Sequence, residues 1–203
     1  DQDDFWFKNK LIDAINTLAN KNIDAYSSDV IACWNNKKKY IKKSFKQKKF
    51  DYIFESPGPG CTFVLNKESF EFLNHYIIDK WNDIIGFKQH DWLIYAILRT
   101  NNFQWIIHNK ANMYYLQHDK NVFGANEGLK AAIKRFKMIL NNWYKKEIIE
   151  LAKIIHQDDN KITSIFLNYR WPKRYNLIFS TFMFRRRLRD VIILFFFFLF
   201  GLF

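Results

Sequence analysis

Three carboxylates, Asp1, Asp3 and Asp4, fall within the first four residues, followed at once by Phe5 and Trp6. Acids this close repel one another and gain nothing from unpaired burial. They become good neighbours around a hard divalent cation, because Mg²⁺ and Mn²⁺ take oxygen ligands and tolerate several negative charges. The competing reading is a frayed acidic terminus. A fourth carboxylate, Asp91, lies in the stretch His90-Asp91-Trp92, which opens a helix, so on position alone it reads as an N-cap aspartate. Only two cysteines are present, Cys33 and Cys61. They exclude a disulfide framework and a four-cysteine zinc site, and they point to a reducing compartment.

The net charge of +12 is unevenly placed, with eight lysines between Lys37 and Lys49 and a second cluster at Arg185, Arg186, Arg187 and Arg189. Such clusters suit nucleic acid, anionic lipid or phosphorylated substrates. The lysine run reads first as a solvated loop or helix face. Its two aromatics, Tyr40 and Phe45, are too few for a stacking platform on single strands. Neither a zinc finger nor the aromatic strand signature of an RNA-binding sheet occurs, so no nucleic-acid partner is expected.

These groups need elements to hold them. Leu11, Ala14, Ile15, Leu18 and Ala19 recur at helical spacing and predict an amphipathic helix over Lys8 to Asn20. Asp29 to Trp34 has strand character, the lysine loop follows, and Ser56-Pro57-Gly58-Pro59-Gly60 must be a rigid turn. Cys61 to Leu65 is β-prone, and Asn66 is placed to cap a helix from Lys67 to about His75. A helix from His90 to about Thr100 buries Leu93, Ala96 and Ile97, and strands follow at Phe103 to His108 and Asn112 to Leu116. Helix and strand alternate, so the core is α/β. From about Glu127 to His156 the periodicity is helical, with lysines on the outer face. The wholly apolar Val191 to Phe203 is too short for the roughly 20 residues of a spanning helix. Beside the arginines it suits an interfacial anchor on an anionic membrane surface, the alternative being a last helix packed on the domain.

Four stretches occur in a telling order: DQDDFWFKNKL from Asp1, PGCTFVLNKESFEFL from Pro59, HDWLIYAI from His90 and YLQHDKNVFGA from Tyr115. Together they resemble the inverting glycosyltransferases of family 2, particularly the bacterial rhamnosyltransferase-like branch. The resemblance is close over residues 1–125 and looser beyond. It implies the C-terminal, acceptor-side part of a GT-A nucleotide-diphospho-sugar transferase fold, with a helical extension over 126–176 and a basic, apolar membrane-associating tail over 177–203. It places Asp1 and Asp3 on the Asp-x-Asp motif that holds Mg²⁺ or Mn²⁺ against the donor's diphosphate. Asp4 takes the extra-acid position, either ligating the metal or orienting the donor. Asp91 maps onto the general base, and His118 onto a group that reaches metal or diphosphate. Gly60 and Thr62 would lie beside donor sugar or acceptor, the alternative being a tight turn. Gln117 joins that set, and so does Trp92, although it reads first as core packing. His75, His90, His108 and His156 receive no role.

The implied partners are a nucleotide-sugar donor, a glycan or lipid-linked acceptor and the anionic inner face of the cell membrane. The implied activity is the transfer of a sugar, rhamnose by analogy, in cell-surface polysaccharide or lipopolysaccharide synthesis. The chain departs from the family in opening on its acidic motif, with no preceding nucleotide-binding strands. It therefore reads as a fragment, truncated or completed by a separate chain and inactive alone. The competing reading is a non-catalytic, basic membrane-peripheral protein or a decayed remnant of the enzyme.

Overall fold

In a computed structural model, residues 4–34, 37–117, 141–155 and 174–201 are described. The chain divides into two compact units, one formed by Asp1–Phe45, Ser56–Asp79 and His90–Asn126, the other by Lys46–Glu55, Lys80–Gln89 and Glu127–Phe203.

The first unit is α/β. A two-residue strand β1 (Phe5–Trp6) leads into helix α1 (Lys10–Lys21), which stops at Asn22 in the left-handed conformation. Strands β2 (Ala25–Ser28) and β3 (Val30–Trp34) are parted only by Asp29, and β4 (Lys37–Ile41) runs antiparallel to β3. After the glycine-proline turn come β5 (Val64–Leu65) and α2 (Lys67–Asp79). A short α3 (Trp81–Ile84) belongs to the second unit. Helix α4 (His90–Thr100) then precedes β6 (Trp105–His108) and β7 (Met113–Leu116). The strands form two sheets, β1-β7-β3-β4 and β5-β2-β6. The β2–β6 and β3–β7 pairs are parallel, so successive strands β6 and β7 sit in different sheets instead of pairing with each other.

The switch between sheets falls on Asp29. Its backbone N–H donates to His108 O at 3.0 Å. Its buried carboxylate accepts from the backbone N–H of Lys43 and Ser44 (2.5 and 2.8 Å), from Ser44 Oγ (2.9 Å) and from Tyr40 OH (2.8 Å). A buried carboxylate is tolerated when donors surround it, and here four do. Burial, reinforced by the Asp29 carboxylate, pushes the Tyr40 phenol up to about 12. The core between the sheets and helices is apolar, with Ala25, Tyr26, Ala32, Tyr95, Ile97, Leu98 and Met113 almost fully enclosed.

Several expected elements differ in a physically interpretable way. The strand expected from Asp29 is preceded by buried β2, whose Ser27 and Ser28 look like loop residues. Ser27 Oγ is satisfied by the indole N–H of Trp105 at 3.0 Å. Part of the expected lysine loop is the edge strand β4, where Lys37, Lys38 and Lys39 all face solvent. Asn66 does cap α2, accepting from Ser69 N–H at 2.8 Å, and that helix runs on to Asp79. In α1 the buried stripe is Lys10 and Ala14, whereas Leu11 and Ile15 of the expected apolar pattern are exposed, as is Ile12.

The second unit is helical among the described residues. Helix α5 (Trp143–Ile155) buries Ile148, Leu151 and Ala152. Helix α6 (Arg174–Ser180) and α7 (Leu188–Phe200) follow, α7 ending at Gly201 in the left-handed conformation (φ 71°). The rings of Phe54 and Phe184 stack at 4.5 Å, and Phe198 meets Phe184 edge-on at 6.3 Å. Of the stretch expected as a helical extension, 126–176, Trp143–Ile155 is helix α5, and 126–140 and 156–173 lie outside the described residues.

The arginine cluster divides its labour. Arg185 donates to Phe54 O at 2.7 Å and to Tyr144 OH at 3.0 Å. The enclosed guanidinium of Arg186 lies 3.2 Å from Glu55 Oε1 and 3.6 Å from Asp51 Oδ2. Arg187 and Arg189 point outward.

Removing the Asp29 carboxylate leaves the part-buried N–H groups of Lys43 and Ser44 without their acceptor. Asp29→Ala is expected to lower the unfolding free energy by about 3 kcal/mol in urea titrations.

Candidate active site

The glycine-rich turn brings the separate stretches together. Gly60–Thr62 form one turn of 3-10 helix, closed by Thr62 N–H and Thr62 Oγ1, which both donate to Pro59 O, at 3.0 and 2.8 Å. Thr62 is fully buried, so its hydroxyl serves the turn. Gly60 packs directly on the side chain of Asp91. A Cβ built on Gly60 would overlap Asp91 Oδ1 and come within 3.1 Å of Asp91 Cγ. Only glycine leaves the carboxylate its place. Gly60, expected beside donor sugar or acceptor, makes its close approach in the structure to the Asp91 carboxylate.

Asp91 is the second residue of α4. Its carboxylate makes no cap: Oδ1 is enclosed and accepts no aligned hydrogen bond. The nearest polar group is His90 Nε2 at 2.7 Å, a contact of ion-pair length in which the ring N–H is not aimed along the line of centres. Trp92, the next residue, is buried in the core.

From the other side, Asp4 reaches the neighbouring residue of the same turn. Asp4 Oδ1 accepts from Leu116 N–H at 3.0 Å, tying the acidic stretch to the end of β7. The Cys61 thiol lies within electrostatic reach of the Asp4 carboxylate, and burial first, then that negative charge, raise its pKa well above the ordinary thiol range. Cys61 is therefore a protonated structural thiol. Gln117 continues β7, its N–H donating to Cys33 O at 2.8 Å and its side-chain amide to Leu116 O at 3.1 Å.

One residue here escapes sequence reasoning. Lys10 is almost fully buried, its Nζ donates to Cys61 O at 2.6 Å, and the same ammonium sits 3.3 Å above the centre of the Trp6 ring. It thus links the start of α1 to the turn that carries Gly60. Burial lowers its pKa to about 8, against the opposing pull of Cys61 and Asp4. The only sequence signal is weak: Lys10 shares a helical face with Ala14 and Leu18 instead of lying opposite the apolar stripe.

Asp1, Asp3 and His118, the expected metal ligands, lie outside the described residues. Among the described residues no group of three His, Cys, Asp or Glu side chains is arranged to hold a metal ion. Asp4, the one acid of the opening cluster that is described, is engaged by Leu116 and Cys61.

Over 183 residues, 89% of its length, the chain is 39% identical to the dTDP-rhamnosyl transferase RfbG of Shigella flexneri. It spans 61% of that relative. No protein-family model matches the chain, and no solved structure does.

The Lys10 ammonium gives the fold a pH dependence of known sign. The folded value, about 8, lies below the unfolded 10.5, so between them the unfolded state binds more protons and stability rises with pH. Unfolding titrations are expected to show a gain of about 2 kcal/mol across that window, and Lys10→Met to lose the gain.

Proposed function

Taking the similarity to the Shigella transferase as premise, we propose that the chain is the acceptor-side part of an inverting glycosyltransferase of family 2 with a GT-A fold. It would move a sugar from a nucleotide-diphosphate donor to a hydroxyl of a growing cell-surface polysaccharide or lipopolysaccharide. The observation that carries the reading is the Gly60–Cys61 pair. Asp91 abuts Gly60, and the Asp4 carboxylate acts on the Cys61 thiol beside it, so carboxylates 87 positions apart in sequence converge on neighbouring residues of one turn.

In this reading Asp91 is the general base. An inverting transfer is a single displacement: the acceptor oxygen attacks the anomeric carbon from the face opposite the diphosphate, and a carboxylate on that face takes the hydroxyl proton. Making no cap and partly open to solvent, the Asp91 carboxylate suits that task better than an N-cap role. Asp1 and Asp3, with His118, would hold Mg²⁺ or Mn²⁺, which supplies charge stabilisation at the departing diphosphate when bound. Asp4 fixes the end of that acidic stretch to β7, and Gln117 continues the same strand toward His118. The buried Thr62 and Trp92 support the turn and the helix that present Gly60 and Asp91. The relative's dTDP-rhamnosyl donor is the first to test.

The same proposal sets the protein at the cytoplasmic face of the cell membrane as a peripheral protein. Among the described residues no helix is long and apolar enough to cross a bilayer. Helix α7 nevertheless leaves Leu188, Ile192, Phe196 and Phe200 exposed at four-residue spacing, Phe200 by 68%, while Leu194 and Phe198 are buried. Outward-facing Arg187 and Arg189 lie at its start, a pattern suited to anionic headgroups above an acyl boundary.

In the full-length protein, Asp91→Asn is expected to lower sugar transfer from dTDP-rhamnose by about 10²- to 10⁴-fold, in assays with and without Mn²⁺, while leaving the fold intact. Undiminished transfer would overturn the assignment of Asp91 as the base, whereas no transfer by the full-length wild-type protein would favour the non-catalytic reading. Flotation with vesicles is expected to recover the chain on anionic lipid and much less on zwitterionic lipid. Replacing Phe196 and Phe200 by Ser should abolish recovery on both.

A further inference from the structure

We propose that His90 is the positioning partner of Asp91, closing off Oδ1 so that Oδ2 is the oxygen that receives the acceptor's proton. The inference rests on the reading of Asp91 as the general base.

Adjacent residues on a helix do not ordinarily face each other. His90 Nε2 nevertheless lies 2.7 Å from Asp91 Oδ1, so the imidazole is folded back over its neighbour. On its other side Oδ1 meets the bare Cα of Gly60. Between ring and glycine this oxygen has almost no solvent contact, yet the Asp91 side chain as a whole is 29% exposed. The exposure falls on the remainder of the side chain, including Oδ2, which stands off from Gly60: the Cβ position that would overlap Oδ1 is 3.7 Å from Oδ2. The two oxygens are therefore inequivalent before any substrate arrives.

That inequivalence matters for a base. A free carboxylate can rotate and present either oxygen in many directions, whereas a base must meet one hydroxyl in line with one anomeric carbon. Gly60 supplies a steric wall, and His90 sets Nε2 2.7 Å from Oδ1, a distance at which a ring N–H can donate although it is not aligned here. A small rotation of the exposed imidazole aligns that bond. As the acceptor oxygen bonds to the anomeric carbon, its proton passes to Oδ2, and the anomeric bond breaks with its electron pair leaving on the diphosphate. His90 exchanges no proton in that step and touches neither substrate. Its imidazole is 80% exposed, so its replacement should not disturb the core.

Two measurements test the assignment. In ¹⁵N spectra of the neutral His90 ring, the wild-type chain should show the Nε2-protonated tautomer in excess, and Asp91→Ala should relax that excess. This readout needs no turnover, so it decides the contact in a preparation that transfers no sugar. With transfer from dTDP-rhamnose, His90→Ala should lower kcat about tenfold with donor KM unchanged. His90→Gln, which keeps an N–H donor within reach, should restore most of it. An Nδ1-protonated ring, a tautomer ratio indifferent to Asp91→Ala, or a wild-type kcat in His90→Ala would each overturn the inference. Wild-type transfer by Asp91→Asn would instead remove the base reading itself, so the two failures are distinguishable.

Discussion

One strand passing through two sheets is the constraint on which the first unit depends, and the buried carboxylate of Asp29 is what allows it. At the junction the backbone must leave one ladder and enter another, which strands polar groups that have no water to turn to. Asp29 answers by gathering the N–H groups of Lys43 and Ser44 and two hydroxyls around one side chain. Because β2 and β3 then diverge, β6 and β7 are drawn to different partners although they are neighbours in sequence. The end of β7, now beside β3, offers Leu116 N–H to Asp4. Asp4 is thus anchored by a consequence of the kink.

The candidate site itself is built by subtraction. No bulky side chain defines it. A missing Cβ at Gly60 makes room for the Asp91 carboxylate, and the turn around it is pinned by groups that are otherwise inert: a protonated thiol, a threonine hydroxyl turned onto Pro59 and a lysine sealed under Trp6. Burying an ammonium is costly and is tolerated here because a carbonyl, an aromatic face and a nearby carboxylate share the charge.

The parts of this arrangement legible in the sequence are those whose signal is local. Helix α4 runs from His90 to Thr100 as its apolar spacing requires, and Asn66 caps α2 as a side-chain acceptor must. Where the stabilising partner lies far away, local reading fails. Ser27 and Ser28 look like a loop because the Trp105 indole that justifies burying Ser27 is 78 positions distant. Lys37 to Lys39 hide a strand because lysine disfavours strands everywhere except at their exposed edges. Lys10 reads as a surface residue until Cys61 O, 51 positions on, is seen to accept from it. In the candidate site, Gly60 announces a close approach and Asp91 a helix start, but only the fold shows that the two features are one contact.

The lysines of β4 have a further effect. They line one margin of the four-stranded sheet formed by the described residues, and they set a row of like charges along that backbone edge. Another strand approaching there would have to bury or displace those ammonium groups, so lateral growth of the sheet is blocked electrostatically. The opposite margin is β1, two residues long, aromatic and largely uncovered at Phe5 and Trp6. The sheet is therefore asymmetric in its capacity for extension, with one guarded border and one receptive border.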